Sequence, residues 1–290
     1  GAEIILMPNF KPSEVLEAID KIKPTIFIGV PTMFSALNAR DDLDNYDLSS
    51  LVYCISGGAP LPLEVQKEFE NISDCSLVEG YGLSETAPVC TVNPLVGDRK
   101  DGSVGLPLPG TVIEIVSLDD PNIRVPIGEN GEICVSGPQV MSGYADRAQE
   151  TTNVLSNGRL RTGDVGYLDE EGYLFIIDRI KELILSGGFN VYPRMVEEAI
   201  CTHPAVKEAA VVGIPDTHRG EIIKAFVTLQ QDQELKSGDL RAYLKDKLAP
   251  FQMPRRVEFR DTLPRTFIGK LSKKDLLAGD AAAQEDENGT

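Results

Sequence analysis

Asp178-Arg-Ile-Lys-Glu-Leu-Ile-Leu-Ser-Gly-Gly-Phe-Asn-Val-Tyr-Pro193 is the stretch that decides the fold. A charged segment leads into a short apolar strand at residues 183–185. A Ser-Gly-Gly turn follows, where the backbone can take a positive φ or let a ligand approach closely. Pro193 suits the first turn of a helix. An ordinary linker would explain part of this pattern, but linkers are usually polar and loose. We therefore predict a hinge over residues 178–182, with a functional turn beside it.

The sequence pattern differs on the two sides of this stretch and predicts an α/β fold with several parts. Residues 1–100 alternate apolar strands with helices, which indicates a partial parallel α/β sheet. Residues 101–177 contain short strands with regular turns, which predicts a small antiparallel β-barrel. Residues 183–278 form a compact α+β domain that the hinge makes mobile. Residues 279–290 are small and acidic, and we predict a disordered tail.

Individual strands and helices can be predicted within the first part. The apolar opening, residues 1–7, predicts a strand. Residues 12–23 carry apolar side chains on one face and stop at a proline, which predicts a helix. Residues 25–30 are continuously apolar, which is typical of a strand that is buried on both faces.

Composition and charge exclude several classes of protein. The chain has 290 residues, with 28 Lys and Arg against 45 Asp and Glu, a formal net charge of −17. This charge argues against a nucleic-acid surface. No apolar run approaches the roughly 20 residues of a transmembrane helix, and no signal peptide is visible, so we predict a cytoplasmic protein. The five cysteines form no CxxC pair. The only two histidines, His203 and His218, lie fifteen residues apart, which disfavours a zinc site and a Ser-His-Asp triad.

Two polar glycine loops, residues 56–61 and 80–86, follow predicted parallel strands. Ligands of such sheets bind beyond the carboxyl ends of the strands. The second loop offers an aromatic ring, a small residue, hydroxyls and a carboxylate, namely Tyr81, Gly82, Ser84, Glu85 and Thr86. Hydroxyl groups suit phosphate oxygens, and a single carboxylate suits Mg²⁺. The start of a helix, capped by its serine, would explain the same residues.

Two further side chains are candidate functional residues because of the sequence around them. Asp164 lies in a Thr-Gly-Asp corner, where its carboxylate can accept hydrogen bonds from both hydroxyls of a ribose. An Asx-turn that closes the corner is an equally good interpretation. Lys270 lies on a tight loop after a glycine, and a lysine in such a loop is normally only a solvated charge.

Four motifs, taken in order, resemble the adenylate-forming superfamily of acyl-CoA synthetases, luciferases and peptide-synthetase adenylation domains. These motifs are Tyr81-Gly-Leu-Ser-Glu-Thr86, Arg161-Thr-Gly-Asp164, Asp178-Arg-Ile-Lys-Glu with Ser186-Gly-Gly, and Pro264-Arg-Thr-Phe-Ile-Gly-Lys270. Phe189-Asn-Val-Tyr-Pro193 is similar to the branch that contains the long-chain fatty acyl-CoA ligases. The resemblance implies an enzyme that activates a fatty acid with ATP and Mg²⁺, and then passes the acyl group to CoA.

The resemblance also implies roles for individual residues. Lys270 would stabilise the charge that develops in the first step, Glu85 would hold Mg²⁺, and Thr86 would contact the α-phosphate. Asp164 would bind the ribose, and Arg179 the ribose or a phosphate. The adenine would be bounded by Gly57, Gly58, Ala59 and Tyr81, and Gly82 would allow close approach of the same cofactor. The hinge would turn about Lys181, and the turn that meets the pantetheine arm of CoA would comprise Ser186, Gly187, Gly188 and Phe189.

One family feature is not found in this sequence. Members have a phosphate loop rich in Ser, Thr and Gly upstream of the Tyr-Gly motif, and nothing before Ser56 resembles it. We expect the chain to be the C-terminal portion of a longer enzyme. By itself it should be inactive in ATP–pyrophosphate exchange, and its exposed edges should favour self-association. Two alternatives stay open: a ligase for aryl or short-chain acids or for carrier-protein loading, and a non-catalytic fragment that binds nucleotide or CoA.

Overall fold

A computed structural model describes residues 1–265 and 271–278 of the chain. The chain divides into two compact units, Gly1–Ile176 and Ile177–Thr290. The boundary lies directly before the segment that the sequence marks as a hinge. The hinge motion and the finer domain limits stay predictions. None of the helices within the described ranges is long and apolar enough to cross a membrane.

The first sheet belongs to the first unit and mixes parallel with antiparallel strands. Its order is β1-β2-β3-β4-β5, with β1, β2 and β3 parallel and β4 and β5 antiparallel. Its helices and strands, in chain order, are α1 (Pro12–Ile22), β1 (Ile26–Gly29), α2 (Pro31–Asn38), β2 (Tyr53–Ser56), α3 (Leu63–Ser73), β3 (Ser76–Gly82), β4 (Val89–Val92) and β5 (Leu106–Pro107). This arrangement confirms the predicted α/β class.

A compact apolar core joins the three helices to this sheet. Phe34 of α2 lies edge-on to Phe27 at 5.4 Å and to Phe69 of α3 at 5.0 Å between ring centroids. Leu16 of α1 and Leu77 of β3 are fully buried in the same cluster. Each of α1 and α2 begins with a proline, which has no N–H to leave unpaired at a helix start.

Two predictions for the start of the chain were wrong. Residues 1–7 form no strand and are exposed. β1 is not buried on both faces, because Ile26 and Ile28 are 53% and 70% exposed. Phe27, which lies between them, packs against the core, so only one face of β1 is covered, and β1 lies at the end of the strand order. Apolarity alone therefore did not identify an edge strand. The exposed side chains agree with the expected self-association, which stays a prediction.

The second sheet is antiparallel and open, and it belongs to the first unit except for the end of its last strand, which passes the unit boundary at Ile177. Its strands are β6 (Val112–Val116), β7 (Gly131–Ser136), β8 (Leu155–Ser156), β9 (Arg159–Leu168) and β10 (Leu174–Arg179). A short helix, α4 (Ala148–Val154), lies between β7 and β8 in the chain. The order is β10-β9-β7-β6, with β8 beside β9. The predicted β-barrel is therefore wrong, because closure would require the two end strands, β10 and β6, to pair with each other.

The second unit is an α+β domain around a third sheet. Its helices and strands are β11 (Ile184–Ser186), β12 (Phe189–Val191), α5 (Pro193–Cys201), β13 (Val206–Asp216), β14 (Gly220–Leu229), α6 (Ser237–Leu244) and β15 (Arg256–Phe259). The sheet order is β12-β11-β14-β13, with β15 parallel to β14. Side chains of β13 alternate between two cores: Val211 packs with α5 and α6, whereas Ala210 and Val212 pack with Leu276 of a C-terminal helix, residues 273–278.

Candidate functional site

The two glycine loops of the first unit begin at the same edge of the first sheet. β2 and β3 are parallel neighbours, and their pairing runs to the end of β2. The first loop follows there as Gly57, Gly58 and Ala59. A β-carbon added to Gly57 would lie 3.4 Å from the carbonyl oxygen of Gly80, at the start of the second loop. The structure thus brings these two sequence-predicted loops together.

The second loop is held tightly by its own backbone. At Gly82 a β-carbon would lie 1.7 Å from the carbonyl oxygen of Pro88, so only glycine fits. The hydroxyl of Thr86 accepts the N–H of Leu83 at 3.1 Å and lies 2.9 Å from the same Pro88 carbonyl oxygen. Thr86 is fully buried. Its hydroxyl therefore closes the turn, and its contact with an α-phosphate stays a prediction. The residues Ser84–Thr86 form a 3-10 turn rather than the start of an α-helix.

Glu85 is half-buried and is oriented by the segment between β7 and α4. The hydroxyl of Tyr144 donates to Oε1 of Glu85 at 2.8 Å, and the N–H of Met141 donates to the Glu85 carbonyl oxygen at 2.8 Å. The hydrogen bond to Glu85 raises the pKa of Tyr144. Residues 1–265 and 271–278 contain no cluster of three or more His, Cys, Asp or Glu that could hold a metal. A single carboxylate still fits Mg²⁺, which keeps several waters and takes its other ligands from phosphates.

Asp164 is buried and lies within hydrogen-bond distance of Tyr81. The phenol of Tyr81 donates to Oδ2 of Asp164 at 2.6 Å. Burial and the nearby charge of Asp164 raise the pKa of this phenol, so it stays protonated and remains a donor. The two residues are 83 positions apart, and no local sequence pattern predicts their contact. The expectation that Tyr81 borders an adenine ring stays a prediction.

Replacing Tyr81 by phenylalanine should destabilise the first unit. The substitution removes a donor to a buried carboxylate, and hydrogen bonds to charged groups contribute about 1.5–3 kcal/mol. Urea unfolding at pH 7 would measure the loss. Tyr167→Phe is the matched control, because Tyr167 lies on the same strand as Asp164 and packs by stacking on Phe175 at 4.9 Å. Equal losses in the two variants would contradict the importance of the Tyr81 hydroxyl.

The predicted hinge segment is fixed within the second unit at its first residue. Asp178 accepts the N–H of Arg179 at 2.8 Å and the N–H of Arg194, in the first turn of α5, at 2.9 Å. Burial raises the pKa of Asp178, although these two N–H groups oppose the shift. Arg179 ends β10 and is exposed. Lys181 is exposed in the 3-10 turn that follows, Ile180–Glu182.

The Ser-Gly-Gly turn connects β11 to β12. Ser186 is buried, whereas Gly187 and Gly188 have φ values of +60° and +85°, which L side chains rarely adopt. A β-carbon on Gly188 would meet no atom within 4 Å. Phe189 is half-exposed and stacks on Phe251 at 4.7 Å. The turn is thus a defined backbone conformation that presents open space.

Lys270, the predicted catalytic lysine, lies outside the described residues. The described part resumes with the C-terminal helix, where Lys273 forms ion pairs with Glu182 at 3.0 Å and with Glu197 at 2.8 Å. Glu197 also accepts the N–H of Val211 at 2.8 Å. Burial raises the pKa of Glu197, even though Lys273 opposes the shift.

Sequence analysis missed residues that orient carboxylates within each unit, Tyr144 in the first and Lys273 in the second. Tyr144 and Lys273 orient carboxylates, but nothing in their local sequence distinguishes them from ordinary surface residues. Glu132 did give a signal, since it is a charged residue within the apolar run of β7.

Comparison with known proteins identifies the family. The AMP-binding enzyme family matches residues 1–145, and the AMP-binding enzyme C-terminal domain matches residues 195–270. The chain therefore belongs to the AMP-binding enzymes, the adenylate-forming superfamily that its four motifs resemble.

Relatives of known name agree with this assignment. The chain is 48% identical over 277 residues to a long-chain-fatty-acid–CoA ligase of Bacillus subtilis (strain 168). This match covers 96% of the chain and 49% of the relative. It is 39% identical over 282 residues to a feruloyl-CoA synthase of Amycolatopsis sp, covering 95% of the chain and 56% of the relative. The chain thus spans about half the length of these curated relatives.

Solved structures have the same fold. ATP-bound MatB from Rhodopseudomonas palustris matches with a TM-score of 0.86 at 34% identity, covering 93% of this chain and 53% of MatB. The anthranilate CoA ligase AuaEII, in complex with anthranoyl-AMP, matches with a TM-score of 0.83 at 31% identity, covering 98% of this chain and 56% of that protein.

Proposed function

We propose that this chain is part of an ATP-dependent acid–thiol ligase, which converts a fatty acid, ATP and CoA into acyl-CoA, AMP and pyrophosphate. The observation that carries this proposal is the buried Asp164 carboxylate, oriented by Tyr81 within the same unit as the glycine loops and Glu85. These groups are of the kinds that would recognise a ribose, a base and a metal-bound phosphate, which supports the proposal. Family membership supports the same reaction class.

In the proposed first step, an oxygen of the fatty-acid carboxylate attacks the α-phosphorus of ATP. The bond between the α-phosphorus and the bridging oxygen to the β-phosphate breaks, and pyrophosphate leaves. Charge accumulates on the α-phosphate oxygens, and a cation placed there lowers the barrier. Lys270 would provide that cation. Asp164 would hold the ribose, and Glu85 would hold Mg²⁺, which neutralises phosphate charge when bound.

In the proposed second step, the thiol of CoA attacks the acyl carbonyl of the adenylate. The thiol loses its proton, the thioester forms, and AMP leaves with the electrons of the broken anhydride bond. The turn Ser186, Gly187, Gly188 and Phe189 would border the pantetheine arm. We propose that rotation about Lys181 exchanges Lys270 for this turn between the two steps, as in other domain hinges. Reaction in the cytoplasm is part of the same proposal.

The acid is proposed to be a long-chain fatty acid, because the relatives of that name share more of the sequence. The test is CoA-thioester formation by a protein that carries this chain within the full length of its relatives. A panel of long-chain, short-chain and aryl acids would be compared through kcat/KM. A clear preference for long-chain acids supports the proposal. A preference for an aryl acid such as ferulate would replace it with the alternative that the feruloyl-CoA synthases represent. No thioester with any acid would indicate a non-catalytic nucleotide- or CoA-binding role.

Replacing Gly188 by leucine should slow transfer to CoA in the same protein, while fatty-acid-dependent pyrophosphate release persists. The side chain would enter the open space where the pantetheine arm is proposed to lie. We expect thioester formation to fall by at least an order of magnitude, as steric misplacement near a reacting centre commonly does. Gly172→Leu is the matched control, because Gly172 also has a φ of +85° but lies in a hairpin turn of the first unit. Normal CoA transfer in Gly188→Leu would show that the turn is only structural.

A further inference from the structure

Glu132 is a buried carboxylate that the proposed mechanism does not use. It lies on β7, where its neighbours Ile133, Cys134 and Val135 are fully buried, and it is itself only 2% exposed. A charge in such a position is strongly destabilising unless it is paired and hydrogen-bonded. The partners of Glu132 therefore indicate what it does.

The two oxygens of Glu132 bind the Thr-Gly-Asp corner of β9 and the residue directly before it. Oε2 accepts Nε of Arg161 at 2.7 Å and Nη2 at 2.6 Å. Oε1 accepts the N–H of Gly163 at 3.2 Å. One carboxylate thus holds the residue that precedes the corner and the glycine at its centre, where φ is +73°.

The pairing of β7 with β9 is interrupted at this corner. Glu132 is opposite Val165 and Cys134 is opposite Arg161, so residues 162–164 face a single residue of β7. Regular strand pairing therefore does not fix the corner. Side-chain hydrogen bonds hold the corner instead of strand pairing. The hydroxyl of Thr162 donates a hydrogen bond to the Ile133 carbonyl oxygen at 2.8 Å.

A further hydrogen bond connects the corner to Asp164, the residue proposed to bind the ribose. The N–H of Asp164 donates to the Thr162 hydroxyl oxygen at 3.0 Å. The Asp164 carboxylate is held from the other side by the Tyr81 phenol at 2.6 Å. Glu132 and Tyr81 thus fix the corner and its carboxylate through separate contacts.

We infer that Glu132 is a positioning residue for nucleotide binding, which acts through Gly163 and Arg161 to hold the Asp164 carboxylate where it meets the ribose hydroxyls. The inference rests on the proposed function for the identity of that ligand. Stability alone does not account for Glu132, because well-packed apolar residues often replace a buried ion pair without loss. The corner instead needs an acceptor for the Gly163 N–H and a negative charge beside Arg161, and one carboxylate provides both.

The ligand test compares AMP with 2′,3′-dideoxy-AMP, which lacks both ribose hydroxyls, in calorimetric titrations of this chain. Wild type should bind AMP more tightly, and Asp164→Asn should remove the difference. Glu132→Gln keeps the shape but loses the charge. It should weaken AMP binding by about tenfold or more, the effect of a hydrogen bond to a charged group, and leave dideoxy-AMP binding unchanged. An equal loss for both nucleotides, or no loss, would overturn the inference.

Glu114→Gln is the matched control. Glu114 is a carboxylate on β6 of the same sheet and pairs with Arg124 and with Arg159 rather than with the corner. It should change neither affinity. Arg161→Lys is a second variant that keeps the charge of the pair and the bond from Gly163, and we expect a smaller loss of AMP affinity.

A ligand-free measurement separates this inference from the proposed function. Amide hydrogen exchange at residues 162–164 should be at least tenfold faster in Glu132→Gln than in wild type or Glu114→Gln, and the increase there should exceed the increase at the other amides of β7 and β9, so that a general loss of stability does not explain it. Unchanged exchange would overturn the positioning role whatever the ligand. If wild type binds the two nucleotides equally, the ribose role of Asp164 is wrong, and exchange alone decides whether Glu132 fixes the corner.

Discussion

Replacing Lys270 by alanine should abolish adenylate formation in a protein that carries this chain within the full length of its relatives. The expected loss is about 10²–10³-fold in ATP–pyrophosphate exchange, the typical effect of removing one contact that forms in the transition state. Thioester formation from supplied acyl-AMP should be unaffected, because the lysine is proposed to act only in the first step. Both half-reactions would be measured on the same preparation.

Lys274→Ala is the control for the Lys270 substitution. Lys274 is an exposed lysine of the C-terminal helix, and its loss removes the same charge from the same part of the chain. It should leave both half-reactions unchanged. Equal damage to adenylate and thioester formation in Lys270→Ala would refute the assigned role.

Replacing Lys273 by methionine should destabilise the second unit by about 3 kcal/mol, because it leaves Glu197 buried without its cation. Lys273 connects the C-terminal helix to Glu182 and Glu197. Urea unfolding of the second unit at pH 7 would measure the loss. Lys207→Met, at an exposed lysine of β13, is the control and should have little effect. Adding Glu197→Gln to Lys273→Met should recover part of the stability.

The same ion pairs predict a dependence of stability on pH. Burial lowers the pKa of Lys273, but the charges and hydrogen bonds of Glu197 and Glu182 outweigh burial and raise it above its ordinary value of 10.5. The folded state therefore holds this proton more tightly than the unfolded state does. Its contribution is complete below pH 10.5 and is lost as the pH rises through the higher value. A wild-type advantage over Lys273→Met that persists undiminished far above pH 10.5 would contradict this assignment.

Local sequence signals predicted much of the fold because they depend on neighbouring residues. The helix expected over residues 12–23 is observed at Pro12–Ile22, since its apolar face and its proline stop lie within one window. The helix expected at Pro193 is observed at Pro193–Cys201. The Ser-Gly-Gly turn has the positive φ values that its glycines allow.

The errors concern properties that depend on distant parts of the chain. The apolar run at residues 25–30 shows strand character but not whether a second layer covers it, and Ile28 is exposed. Regular short strands indicate an antiparallel sheet but not whether its ends meet, so a barrel was predicted where the sheet is open. The bond between Tyr81 and Asp164, and the role of Glu132, depend on contacts between separate sheets and strands.

Direct detection of an acyl-adenylate tests most directly whether this chain takes part in forming that intermediate, as we propose. The protein that carries this chain within the full length of its relatives would be mixed with a long-chain fatty acid, ATP and Mg²⁺ without CoA, quenched, and analysed by mass spectrometry. We predict acyl-AMP in an amount that approaches one per active site, with an equal amount of pyrophosphate. ATP consumption that yields ADP and phosphate, or an acyl-CoA product formed on later addition of CoA without any prior acyl-AMP, would contradict the account.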